Sequence, residues 1–381
     1  MSGNSPKLVL STIGISLLLS HQTPTEREVA PRRLIDLANA TTLTPEDEGF
    51  INALSERVTE TLDRGNIALI RRKSAELNGI FAIYENQQPV GSPDMHVLVA
   101  TDTYLGRRCA TLVERYLQSR GLSVITYIPA SLTTADTHAF ETGIKELIYW
   151  CAENIPSYQE QGYSVLFNLV AAFKSLQGYL NTIGMFYADQ ILYLFEGASA
   201  QPIYIPRLPL KIDLDRLQPY ATQLAMMAEG DAVVAVNDLD GLPSALYDQV
   251  NQDAIISQWG LLTWQQIRSE LFKTDLLAFP RLHYKNHFQR EVKGLHTEEK
   301  VRLQAVLAKV ATVLVESNGD VVKLKQTGGI QYDNYVNKKD KDGKAIGHFR
   351  VSDGLRVSCV AKDGQLFLRH YGQHDDVNDN P

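Results

Sequence analysis

Short apolar runs alternate with longer amphipathic ones through the first half of the chain. KLVLST (7–12) is a compact apolar run, followed by Ile13-Gly14-Ile15-Ser16 and an apolar helical start. HVLVATDT (96–103) predicts a second strand, and CATLVERYLQSRG a helix with Leu112, Val113, Tyr116 and Leu117 on one face and Gly121 as its C-cap. LSVITYI (122–128) predicts a third strand, and a long helix is expected near 136–154, closing before Pro156. YSVLFN (163–168), a helix through KSLQGYLNTIGMFY, DQILYLFEG (189–197) and PIYIPRLP (202–209) complete the series. Strands separated by helices argue a parallel α/β sheet.

From about residue 211 the pattern changes. The helical runs LDRLQPYATQLAMMAEG and TWQQIRSELFKTDLLAF are interrupted by GDAVVAVNDLDGLPS, which suggests a helical or small winged-helix connector over 211–283. Simple packing is the favoured role of Trp259 and Trp264 there. After it, GHFRVSDGLRVSCV (347–360) reads as two strands joined at Ser352, Asp353 and Gly354, and QLFLRHYG as a third strand with His374 just beyond. Side chains alternate faces along a strand. His348, Arg350 and Ser352 therefore share one face, and Arg356 and Ser358 share one after the turn. Such a face is either a solvated sheet surface or a site for phosphodiester chemistry, because guanidinium binds phosphate bidentately and imidazole moves protons near neutral pH.

Charge sharpens the second possibility. The 381-residue chain carries a net −7, yet residues 281–381 hold 17 Lys and Arg against 13 Asp and Glu, leaving −11 for the first 280. Six of nine His also lie in that last segment. A basic module on an acidic body suits a nucleic-acid contact. The charged NKKDKDGK (337–344) is either a solvated loop or a contact to RNA phosphates. The three Cys (Cys109, Cys151, Cys359) are far apart with no C-x-x-C, so neither a disulfide framework nor a zinc site is indicated and a reducing, cytoplasmic setting is expected. LVLSTIGISLLLS (8–20) is too short to span a bilayer and reads better as a buried strand entering a helix, so no membrane partner is expected.

Ligands of parallel sheets bind beyond the strands' C-terminal ends. Thr12, Gly14 and Ser16, Thr101, Asp102 and Thr103, and Asn168 and Lys174 all fall there. Each cluster alone is equally a helix cap or turn. No G-x-G-x-x-G or Walker motif occurs, which disfavours a dinucleotide dehydrogenase or an ordinary NTPase.

STIGISLLLS (11–20), ATDTYLGRR (100–108), SVLFNLVAAFKS (164–175) and LYLFEGASAQPIYIPRLP (192–209) together resemble the motifs of a CRISPR-associated Rossmann-fold (CARF) domain related to ring nucleases, over residues 1–210. The resemblance implies a homodimer that binds a cyclic oligoadenylate, usually cyclic tetra-adenylate, across its two-fold axis. It implies ligand contacts at Thr12, Gly14, Ile15, Ser16, Thr101, Asn168, Ala171, Ala172, Lys174 and Ser175, and no other cofactor or metal. Some relatives also cleave the ring slowly. This chain has Ala171-Ala172 where the subgroup carries two glycines, which adds Cβ atoms beside the phosphate.

Residues 284–381 resemble an α+β RelE-type toxin domain, an mRNA interferase, through FRV-x-x-G-x-RV and a terminal strand ending in G-x-H. That resemblance implies metal-independent cleavage of mRNA in the ribosomal A site. His348, Arg350, Arg356 and His374 would be the catalytic residues, and Lys323 and Lys325, on a basic strand, the RNA contacts. Asn378 stands where many members carry Tyr. The expected whole is a CARF–RelE fusion of type III CRISPR defence, activated by cyclic tetra-adenylate and acting on ribosomes and mRNA. Two alternatives stay open: a ring nuclease with a non-catalytic RNA-binding tail, and a ligand-controlled DNA-binding regulator.

Overall fold

A computed structural model describes residues 5–30, 32–85, 87, 92–171, 173–195, 201–273 and 275–381. The chain divides into two compact units, Met1–Leu210 and Lys211–Pro381.

The first unit is built on a six-stranded sheet. Its strands are β1 (Lys7–Thr12), β2 (Met95–Val99), β3 (Ser123–Tyr127), β4 (Ser164–Asn168), β5 (Gln190–Leu194) and β6 (Pro202–Pro206), ordered β3-β2-β1-β4-β5-β6. All neighbours are parallel except β5 and β6. This is the parallel α/β arrangement that the apolar runs predict, and its strand order is compatible with the Rossmann-like domain that the resemblance implies. In β1, Leu8, Val9 and Leu10 are fully buried, as expected of a central strand covered on both faces. Helices Pro45–Arg64, Ala75–Ile83 and Tyr104–Ser119 share one core with Ile13, Leu17 and Leu98. Helices Thr137–Glu160 and Lys174–Tyr187 pack on each other and on β4 and β5.

Two boundaries differ from expectation. The second strand stops at Val99, because Thr103 is the N-cap of the next helix and its hydroxyl accepts the Gly106 N–H at 3.1 Å. The long helix does not close before Pro156 but runs through it to Glu160. Proline removes a single intrahelical donor. Ile144, Leu147, Ile148 and Cys151 before it and Ile155 beside it are all buried, so tertiary packing holds the helix across that gap.

In the second unit, β7 (Val234–Ala235), β8 (Tyr247–Val250) and β9 (Asp253–Ile256) form a small antiparallel sheet ordered β7-β9-β8. A five-stranded sheet contains β10 (Leu282–Tyr284), β11 (Asp333–Lys339), β12 (Ala345–Arg350), β13 (Leu355–Lys362) and β14 (Gln365–Gln373), in the order β10-β14-β13-β12-β11. The turn expected at Ser352-Asp353-Gly354 joins β12 to β13, with the Val351 N–H on the Leu355 carbonyl at 2.9 Å. Phe349, Val357, Cys359, Leu366 and Leu368 are buried. On the same face, Tyr371 donates to Glu299 of helix Thr297–Glu316 at 3.0 Å.

That helix also packs against helices Ala221–Gly230 and Gln258–Phe272. The buried Gln304 ties them together: its amide donates to the Phe272 and Asp275 carbonyls at 3.0 and 3.2 Å, and its oxygen accepts the Leu277 N–H at 2.8 Å. Trp264 is fully buried and donates to Glu229 at 2.7 Å, the packing role expected of it. Among the described residues no helix is long and apolar enough to cross a membrane. Cys109, Cys151 and Cys359 are free and buried.

Candidate functional site

In the first unit the candidate ligand residues gather at one place in the sheet. Chain crossovers lead from β1 to β2 and β3 on one side and to β4 and β5 on the other, so β1 and β4 flank the topological switch point where open α/β sheets bind ligands. Thr12 ends β1 and Asn168 ends β4. The Thr12 hydroxyl donates to the Ala171 carbonyl, which ties the two loops together. Asn168 is fully buried. Its amide donates to Ser11 Oγ at 3.0 Å and to the Glu76 carbonyl at 3.2 Å, while its Oδ1 is buried without a hydrogen-bond partner among the described residues. A Cβ on Gly79 would stand 2.0 Å from that oxygen, so a glycine is required for Asn168 to sit there.

The residue that ties this site together had no motif to mark it. Glu76, in helix Ala75–Ile83, is fully buried, and its carboxylate accepts the Gly14 N–H at 3.0 Å, the Ser16 hydroxyl at 3.0 and 3.2 Å and the Ser74 hydroxyl at 2.9 Å. Burial pushes its pKa up, and the hydrogen bonds work against that shift. Ile15 is the residue preceding the short helix Ser16–Leu19. Lys174 and Ser175 are exposed in the first turn of helix Lys174–Tyr187, the helix that follows the Asn168 loop. Thr101 is different: it is buried and its hydroxyl meets that of Thr103 at 3.0 Å, so it belongs to the helix cap. Ala171 is buried, and Ala172 lies outside the described residues.

In the second unit, register brings the expected basic residues onto one face. Arg350 pairs with Arg356, and His348 pairs with Ser358, across β12 and β13. Arg350 is held by Asp353 in the turn, and Arg356 donates to the Ser352 carbonyl at 2.7 Å. Burial and then the Arg350 charge lower the Arg356 pKa. Tyr335 of β11 lies flat on His348, with centroids 4.4 Å apart and planes 20° from parallel. Burial, and after it the Arg356 charge, holds His348 below its usual value near 6.5. His348 Nδ1 and Ser358 Oγ are both buried without a partner among the described residues.

His374 opens the helix His374–Asp379 and joins the same network. Asn378 takes the Tyr335 hydroxyl on its Oδ1 at 2.7 Å, and its Nδ2 lies 3.0 Å from His374 Nε2. The four side chains thus form one chain, His348–Tyr335–Asn378–His374. Tyr335 was not legible as a site residue, since it lies in a charged hairpin with no motif of its own. Lys323 and Lys325 are not on a strand. They lie on the short helix Val322–Gln326, where Lys325 pairs with Asp333 at 2.6 Å and Lys323 reaches Gln326 at 3.3 Å. Asp333 is itself the cross-strand partner of His348, so Lys325 is close to this face.

The chain therefore combines a parallel α/β unit, with polar residues at its switch point, and a mixed unit whose sheet presents paired arginines and histidines. Residues 71–208 match a family model described as CRISPR-associated protein (Cas_APE2256), which supports a CRISPR-associated protein. The matched span takes in the Glu76 helix and β2 to β6, and begins after β1 and the Thr12–Ser16 loop. No curated protein matches the chain.

Proposed function

We propose that the protein is a cyclic-oligonucleotide-controlled endoribonuclease of CRISPR defence, in which the first unit senses cyclic tetra-adenylate and the second cuts mRNA in the ribosomal A site. The observation that carries the nuclease reading is the Arg350–Arg356 pair beside His348 on one sheet face. Two arginines paired side by side on one face suit a phosphate whose charge grows in the transition state. Beneath that face His348 Nδ1 and Ser358 Oγ are buried and unpartnered among the described residues, a cost that a merely solvated sheet surface has no reason to carry.

In this mechanism the ribose 2′-oxygen attacks its own 3′-phosphorus. The O2′–P bond forms and the P–O5′ bond breaks, giving a 2′,3′-cyclic phosphate and a 5′-OH. One imidazole takes the 2′-OH proton and another group returns a proton to the leaving 5′-oxygen. His348, held toward its neutral form, suits the base, and His374, linked through Asn378 and Tyr335, suits the acid. No step needs a metal, so cleavage persists in a chelator that removes transition metals and leaves the ribosome's Mg²⁺.

The CRISPR-associated match over 71–208 and the switch-point cluster support the sensing role. Ring cleavage by the same unit is a second activity of this reading, favoured by the Ser16 hydroxyl held against Glu76 and the exposed Lys174. A DNA-binding regulator is less well supported: between β7 and β8 stand only the 3-10 turns Val236–Leu239 and Ser244–Leu246, too short for a major-groove helix. The test is to cut mRNA on translating ribosomes with the purified protein, in the Mg²⁺ buffer that translation requires, and to identify the termini. Cyclic-phosphate and 5′-OH ends support the reading, and 5′-phosphate ends or no cutting overturn it.

A further inference from the structure

A second histidine cluster lies on the same unit, apart from the paired arginines. His287 and Glu291 stand one turn apart on helix Asn286–Lys293, and His370 is on β14. Nδ1 of His287 lies 3.0 Å, and Nδ1 of His370 3.1 Å, from the same Glu291 Oε1. The other carboxylate oxygen accepts the Tyr371 N–H at 2.8 Å, which fixes the carboxylate's direction. The two imidazoles are 4.2 Å apart at 57°. Among the described residues no other three His, Cys, Asp or Glu bring ligand atoms so close, all within 4.8 Å. Both histidines open onto a cleft of about 630 Å³ that Lys285, Lys362, Phe367 and Arg369 also line.

We propose that His287, Glu291 and His370 bind one divalent transition-metal ion of the zinc class, with a fourth position open to the cleft. Ligands at ~2.0–2.1 Å in a tetrahedron stand about 3.3–3.4 Å apart. The two nitrogen–oxygen separations need widen by only about 0.3 Å to reach that spacing. The Tyr371 N–H supplies the outer hydrogen bond that ligating carboxylates commonly have. Two imidazoles and one carboxylate select a borderline ion, since Mg²⁺ and Ca²⁺ favour six or more oxygens. Lys285, Lys362 and Arg369 oppose any cation by charge, so this open site holds its ion less tightly than a closed structural one.

The site is separate from the proposed catalytic pair. His370 pairs across to Ser358, which pairs with His348, a distance of two strand spacings or about 10 Å. Metal binding here and metal-independent cleavage there are compatible, and each can fail without the other.

Titration of the full-length protein with Co²⁺, read by its visible d–d absorption, tests this. The expected result is one saturating equivalent with the intense band of four-coordinate cobalt, displaced by Zn²⁺ and not by Mg²⁺. The band is lost in His287→Gln and His370→Gln and kept in His283→Gln, a neighbouring histidine outside the cluster. His287 is half-exposed at 52% of its side chain, so its replacement leaves the fold in place. Absence of a saturating band in the wild type, or a band that survives both His287→Gln and His370→Gln, overturns the proposal.

Discussion

Arg350 and Arg356 stand directly across from each other on adjacent antiparallel strands, and their side chains project from the same face. Like charges placed opposite each other are unfavourable in a sheet. Asp353 and the Ser352 carbonyl hold the two guanidiniums in place instead. A pairing that costs stability fits a role in binding an anion. Arg356→Ala is expected to lower mRNA cleavage by about 10²–10³-fold, the scale seen when one donor to a developing charge is removed. Its melting temperature should not fall. A parallel loss of activity and of melting temperature would make the pair structural.

The His348 imidazole is held below its usual pKa by burial first and by Arg356 second. A depressed folded value means that this group contributes stability above the unfolded pKa near 6.5, and that the contribution is lost as pH falls through the folded value. An NMR titration of the ring should give a midpoint below 6.5, and the midpoint should rise in Arg356→Ala. An unmoved midpoint would remove Arg356 as a cause.

Glu76 is a buried carboxylate whose pKa is raised, chiefly by burial. Its effect has the opposite sense: the stability it contributes is fully present below the unfolded value near 4.5 and declines as pH rises through the folded value. Glu76→Gln should therefore gain melting temperature relative to wild type as pH increases from 4.5 toward neutrality. Glu76→Ala strands the Gly14 N–H and two hydroxyls and should cost about 2–4 kcal/mol. A pH-independent difference between Gln and Glu would show that the carboxyl does not titrate in the folded protein.

Asn378 links His374 to Tyr335, and through it to His348. Asn378→Ala should reduce kcat by about tenfold, the equivalent of one hydrogen bond worth ~1.4 kcal/mol, with KM little changed. A change confined to KM would place Asn378 in substrate binding.

The loop after β4 carries Ala171, buried and bonded through its carbonyl to Thr12. Replacing Ala171 and Ala172 with glycine should cost about 1–2 kcal/mol through unfolded-chain entropy. The same change removes the two methyl groups by which this loop differs from a glycine version, so affinity for cyclic tetra-adenylate should rise several-fold (on the order of 1 kcal/mol). Unchanged affinity would mean that these alanines do not limit binding.

Much of the first unit could be read from the chain because its central strands are continuous apolar runs. Lys7–Thr12 and the helix Lys174–Tyr187 fall where the pattern puts them. Glu76 could not be read, since an acidic residue in a helix's first turn is the ordinary choice, and only tertiary packing turns it toward Gly14. VVKLKQ has the two-residue alternation of a strand but forms a helical turn, which starts where Asp320 accepts the Val322 N–H at 2.9 Å. A strand would have buried both Val322 and Leu324, yet only Leu324 is covered and Val322 is 53% exposed. The alternation around the Ser352–Gly354 turn was legible, whereas Tyr335 reaches His348 only through the β11–β12 hairpin.

The most direct test of the account is to map mRNA 5′ ends on translating ribosomes with and without cyclic tetra-adenylate, comparing wild type with Arg356→Ala. The account predicts A-site ends that require both the ligand and Arg356. No ligand-dependent ends from the wild type, or the same ends from Arg356→Ala, would contradict it.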